Sequence, residues 1–299
     1  MQKNYLVAGG FVLLLALGFF LFRGATPDTE TDGSTLTPVR SFSHSHGIAV
    51  DVADASKVYV ATHEGLYLLK DDKDLYHIGA ARDDLMGFSP HPRDADTFFS
   101  SGHPARGGNI GFQKTTDGGV SWKRVSPGLG GPVDFHAMAV SMANSDVAYG
   151  FFGGKLQRSA DQGKSWEHAK GTIAPFSLST HPQDADVLYA ATQNGVMAST
   201  DRGDSWKSAS AELEGGAVSV FALSPIDPRY ALVFAEKLGG LGKSTDGGVK
   251  WQKVAENFGG ETVLYLAFSK TTPSVVYALT DKNSVYKSSD TGDTWVNVR

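Results

Sequence analysis

One eight-residue pattern, Ser/Thr-x-Asp-x-Gly-x-x-Trp, occurs five times in this chain and uses all five of its tryptophans. The copies run from Thr115 to Trp122, Ser159 to Trp166, Ser199 to Trp206, Ser244 to Trp251 and Ser288 to Trp295. Their aspartates, Asp117, Asp161, Asp201, Asp246 and Asp290, follow one another at steps of 44, 40, 45 and 44 residues. That step is the length of a four-stranded propeller blade. Each copy reads as a turn that locks itself. The aspartate can accept hydrogen bonds from backbone N–H groups two or three residues on, and the glycine supplies the positive φ of a tight hairpin. The Trp then returns along the outer strand, where its indole covers the blade edge.

The rest of each repeat agrees with this reading. Ser177 to Thr180, Val187 to Thr192 and Gly195 to Ser199 read as three strands before the octapeptide turn. A first copy without the octapeptide is visible as Gly47 to Val52, Val58 to Thr62, Leu66 to Lys70 and Leu75 to Gly79, with Asp71 to Asp74 as the substitute turn. The expected fold is therefore all-β, a six-bladed propeller over residues 41–299. Thirty-five glycines against 12 prolines fit many tight turns rather than long helices.

Ahead of the propeller, Tyr5 to Phe22 is uncharged and almost wholly apolar, between Lys3 and Arg23. At ~1.5 Å per residue it can just span a bilayer core of ~30 Å. Residues 1–23 thus read as one transmembrane helix, an uncleaved anchor because Arg23 sits badly for a signal-peptide cut. A short N-terminal tail stays in the cytoplasm and leaves the body outside, at the cell surface or in the periplasm. Residues 24–40, rich in Thr, Asp, Gly and Pro, read as a flexible tether. The net charge of -5 offers no basic patch for nucleic acid, and no nucleotide cofactor is expected. With no cysteine, any metal must use His, Met, carboxylate or backbone ligands.

Aligning the repeats on Tyr59, Phe99, Tyr149, Tyr189, Phe234 and Tyr277 compares equivalent positions within one chain. Thirteen residues earlier, on the innermost strand, stand His46, Met86, His136, Phe176, Phe221 and Leu264. Two before that, on the same face by the strand period, stand His44, Asp84, Asp134, Ala174, Ser219 and Thr262. Four after the aromatic come His63, His103, Gly153, Gln193, Leu238 and Asp281. Antiparallel strands bring these positions to one rim, opposite the octapeptide turns. His44, His46, His63, Met86, His103 and His136, with Asp84 and Asp134, therefore converge at one side of the channel mouth and suit a transition metal. A thioether tilts the choice toward copper over zinc, although a buried Met is more often filler. His91 and His181 sit in matching His-Pro turns at the far rim, and His77 and His168 are expected exposed on outer strands.

The five octapeptides resemble the Asp-box, or bacterial neuraminidase repeat, superfamily of propellers, which includes sialidases, sortilin-type receptors and photosystem II assembly factors. More narrowly, His44-Ser-His-Gly, Asp84-Leu-Met-Gly-Phe, Ser101-Gly-His-Pro and Pro132-Val-Asp-Phe-His-Ala-Met resemble a family of anchored, sortilin-like bacterial propellers labelled glycosylhydrolase-like. The resemblance implies a propeller from about residue 44 onward; it does not fix an activity. Sialidase chemistry needs three arginines around a carboxylate, and only Arg82 and Arg106 lie near the histidine rim. Three readings stay open: a metal-binding propeller, a glycoside hydrolase using Asp84 and Asp134 as its carboxylate pair, and an interaction or assembly module docking a protein or carbohydrate ligand on its face.

Overall fold

A computed structural model describes residues 35–299. The expected transmembrane helix, residues 1–23, and most of the expected tether lie outside the described residues. Six antiparallel sheets are arranged as the blades of a ring. Blade one holds β1 (Leu36–Pro38), β2 (Ser45–Val50), β3 (Lys57–Thr62), β4 (Gly65–Lys70) and β5 (Asp74–Ile78). Blade two holds β6 (Asp84–Pro90), β7 (Phe98–His103), β8 (Phe112–Thr115) and β9 (Lys123–Ser126). Blade three is β10 (Ala137–Val140), β11 (Ala148–Phe152), β12 (Lys155–Ser159) and β13 (Glu167–His168). Blade four is β14 (Ser177–Thr180), β15 (Leu188–Thr192), β16 (Gly195–Ser199) and β17 (Lys207–Ser208). Blade five is β18 (Val218–Leu223), β19 (Ala231–Ala235), β20 (Gly240–Ser244) and β21 (Gln252–Lys253). Blade six is β22 (Val263–Phe268), β23 (Val276–Thr280), β24 (Val285–Ser288) and β25 (Val296–Asn297).

Neighbouring inner strands touch in the order β2, β6, β10, β14, β18, β22 and back to β2, which closes the ring. Between each pair of blades lies one buried apolar cluster, so the core is divided among the seams rather than gathered at the centre. The first and last blades close without exchanging a strand. Their seam buries Ile48 and Val50 against Tyr277, Leu279 and Val285. At one rim, Ser45 donates its N–H and hydroxyl to Asn283 Oδ1 at 2.9 and 3.0 Å. At the other, Asp72 accepts from the Tyr277 hydroxyl at 2.5 Å and from Lys287 Nζ at 2.6 Å. Asp72 belongs to the turn that replaces the octapeptide in blade one, so that turn fastens the ring.

Blade one departs from the expected four strands. β1 pairs antiparallel with β5, with Thr37 opposite His77, in a stretch expected to be tether. An outer edge would otherwise expose unused backbone groups, and β1 covers it; Pro38 is tolerated because it sits on the new edge. The chain then crosses to the innermost position, and Phe42 packs on Tyr67 on the way. His77, expected exposed, is only 2 % exposed. Its ring nitrogens lie 2.8 and 3.1 Å from the carbonyls of Glu64 and Gly79, so it pins the loop ends beneath β1.

The octapeptide turns lock as expected, with the reach one residue longer. In all five, aspartate Oδ1 accepts the N–H four residues on at 2.9 Å, and blade five adds the N–H three on. The Ser or Thr hydroxyl accepts from the motif glycine at 2.7 to 3.0 Å. That glycine is also an inter-blade contact. A Cβ on Gly163 would fall 2.1 Å from the Phe112 ring, and one on Gly203 2.5 Å from Leu156.

Hydrogen bonds from the following hydroxyl and N–H hold Asp161, Asp201 and Asp290 down at about 2. Because the folded-state values lie below the unfolded one, this stabilisation is present above about pH 4 and is lost as pH falls toward 2. A triple Asp161→Asn/Asp201→Asn/Asp290→Asn variant should unfold earlier than wild type at neutral pH. Between pH 4 and 2 its melting temperature should fall less steeply than that of wild type, as thermal scans across that range would show.

Candidate metal centre

Strand register brings the rim residues together. Ser45 pairs with Thr62, and the His63 N–H reaches the His44 carbonyl, so the start of β2 and the end of β3 set three histidines side by side. His46 is the extra residue of a bulge between Ser45 and Gly47. A bulge re-aims one side chain without breaking the sheet, and the same slip recurs at Ser219 in β18 and Leu264 in β22. His44 holds φ at +39°, a conformation unusual for a residue with a side chain. In blade two Asp84 lies directly opposite His103.

The expected single cluster resolves into two sets. In the first, the ligand atoms of His44, His46 and His63 all lie within 4.8 Å of one another, with ring centroids 4.4 to 5.0 Å apart. Asp84, from the next blade, approaches His63 Nδ1 at 2.5 Å and His46 Nε2 at 3.4 Å. In the second, His103, Asp134 and His136 meet the same 4.8 Å limit. Asp134 Oδ2 lies 2.9 Å from His103 Nε2 and 2.8 Å from His136 Nε2. One device is thus built twice, a blade apart: the histidine at or just past the end of a second strand meets the aspartate at or just ahead of the next blade's inner strand.

The electrostatics favour a cation. Burial, then the neighbouring imidazoles of His63, His44 and His136, holds His46 down at about 3, leaving a neutral ring. Burial pushes the Asp134 carboxyl up, but the imidazoles of His136 and His103 outweigh it and keep the group below the usual carboxylate range. Its hydrogen bond to His136 in turn raises that histidine. His103 Nδ1 sits 2.8 Å from the Gly108 carbonyl, which can only accept, so Nδ1 carries the hydrogen. In a neutral ring Nε2 then turns a lone pair toward the Asp134 carboxylate. Those two atoms need a cation between them, a proton or a metal ion. His46 Nε2, Asp84 Oδ1 and Asp134 Oδ1 are buried and find no hydrogen-bond partner among the described residues. Such groups cost about 1–3 kcal/mol each, and three at one rim is the pattern of a ligand site.

Met86 is buried and lies two residues along β6 from Asp84, on the same face by the strand period. His46 and His136 also line a central cavity of ≈ 290 Å³ walled by all six inner strands. Near the rim, the β7–β8 loop is pinned by the Ala105 N–H on Asp83 and by Asn109 on the Pro132 carbonyl. That loop supplies the Gly108 carbonyl, which sequence reasoning missed because no side-chain motif marks it. His91 and His181 accept from the N–H two residues on and are turn residues, as expected.

Blade five departs from the expected register. Leu232, not Phe234, pairs with Lys243 just before the octapeptide, as Tyr189 pairs with Ala198. A β19–β20 turn two residues longer than the β15–β16 turn hid the shift. The residue equivalent to His46 is therefore Ser219 rather than Phe221, and the one equivalent to His63 is Glu236 rather than Leu238. Glu236 and Asp281 accept N–H groups of their own inner-strand starts, from Ala217 and Thr262. The rim of blades five and six is thus polar but engaged with backbone.

No family model matches the chain, and no curated protein matches it. Among solved structures, the GH74 enzyme of Niastella koreensis superposes with a TM-score of 0.61 at 16% identity, covering 88% of this chain and 47% of that one. The GH74 xyloglucanase of Xanthomonas campestris gives 0.56 at 18% identity, over 88% of this chain and 46% of that one. YCF48 from Cyanidioschyzon merolae gives 0.54 at 17% identity, over 88% of each chain. The likeness is one of fold. The chain spans less than half the length of the GH74 enzymes it matches.

Asp84 separates an orienting role from a bystander one. An aspartate on the far nitrogen of a metal-binding histidine fixes its tautomer, and its loss costs ~10–100-fold in metal affinity. Asp84→Asn should lower affinity for zinc(II) or copper(II) by that factor, read by calorimetric titration, with the circular dichroism spectrum unchanged.

Proposed function

We propose that this chain is a membrane-anchored, extracytoplasmic propeller of the Asp-box type that binds transition metal, copper in preference to zinc, at the rim of blades one to three. The observation that carries this reading is the convergence of two ligand sets, one beside Asp84 and one including Asp134, each with a nine-tenths-buried polar atom that finds no hydrogen-bond partner among the described residues. Imidazole suits both copper and zinc, and Met86, two residues along β6 from Asp84, offers a thioether that favours the softer ion. The anchor rests on the apolar run Tyr5 to Phe22. In that placement the rim would meet metal outside the cytoplasm.

The glycosidase reading is less well supported. A catalytic acid needs a carboxyl whose proton is held at neutral pH, whereas the imidazoles of His136 and His103 keep Asp134 below the usual carboxylate range. Equilibrium dialysis of the purified chain against copper(II) and zinc(II), followed by elemental analysis, tests the proposal. Retention of metal beyond that of a His46→Ala/His136→Ala variant supports it. Equal, near-zero retention by both would leave the interaction-module reading in its place.

A further inference from the structure

We infer that the rim holds two metal ions rather than one, an all-nitrogen site at His44, His46 and His63 and a mixed nitrogen–oxygen site at His103, Asp134 and His136. The inference rests on the metal reading above and adds its stoichiometry and coordination class. Four observations carry it. Ligand atoms group within 4.8 Å inside each set, and the two groups share no residue. Each set has its own carboxylate, Asp84 at 2.5 Å from His63 and Asp134 at 2.8 and 2.9 Å from its two histidines. Each contains a residue under a tenth exposed with a polar atom that finds no hydrogen-bond partner among the described residues, His46 Nε2 in one and Asp134 Oδ1 in the other. The two are related by one blade of the repeat, since His63 meets Asp84 as His103 meets Asp134.

One ion could not satisfy both. A zinc ion in such a site takes four ligands, at ~2.0–2.2 Å. Six donors from three blades would overfill it. Two ions, by contrast, give His46 Nε2 and Asp134 Oδ1 each a partner. The unlike donor sets also imply unlike preferences, with carboxylate oxygen suiting a harder ion than imidazole alone.

Titration of the full chain in mild detergent with zinc(II) chloride, and separately with copper(II) chloride, measures the stoichiometry. The wild-type chain should bind two equivalents. His44→Ala/His63→Ala and His103→Ala/His136→Ala should each bind one, with unchanged circular dichroism. Under copper(II) the two variants should show different visible absorption maxima, because their donor sets differ. A single equivalent in wild type, or loss of all metal from both variants, would overturn the two-ion inference while leaving metal binding intact. No binding in wild type would overturn the metal reading itself.

Discussion

His46→Leu should do two opposite things: make the metal-free protein more stable and remove metal-induced stabilisation from its half of the site. His46 is 8% exposed, and its Nε2 has no hydrogen-bond partner among the described residues. An apolar side chain of similar volume removes that cost, about 1–3 kcal/mol. In wild type, metal at a hundredfold excess over its Kd adds ~2.7 kcal/mol for each ion bound. The variant forfeits that increment for the set of His44, His46 and His63. Thermal melts with and without zinc(II) read both effects at once. A variant that is less stable without metal and gains as much from zinc as wild type would mark His46 as an ordinary packed histidine.

The second large effect lies in a seam. Phe112 is fully buried between Phe99, at 5.7 Å, and Trp166, at 5.1 Å. Phe112→Ala should cost ~3–5 kcal/mol, which for a domain of this size lowers the melting temperature by roughly 10 °C. Gly163→Ala should also be costly, because φ is +78° there and the new methyl would fall 2.1 Å from the Phe112 ring. The two are not independent. With the ring gone, the methyl has room, so the double variant should lose less than the sum of the singles by about 1 kcal/mol or more. Strict additivity in denaturant melts would show that the glycine does not fasten the seam.

The octapeptides made the fold legible, because a self-locking turn needs fixed residues at fixed spacing whatever surrounds it. Asp161 and Ser159 bond within eight residues of sequence, so their signal is local. β1 was not legible: three residues of Leu-Thr-Pro carry no period, and only the open edge of blade one makes them a strand. The rim residues were found by comparing repeats, and that comparison failed in blade five because a longer turn moved Phe234 out of register. Nor could spacing alone divide the histidines into two sets. Which aspartate meets which imidazole depends on the blade-to-blade step, a feature of the closed ring and not of any one strand.

The most direct test of metal at this rim is elemental analysis of the chain after loading with copper(II) or zinc(II) and desalting, beside His46→Ala/His136→Ala. Wild type is expected to retain close to two ions, one for each ligand set, and the variant close to none. Equal, near-zero metal in both would contradict the account.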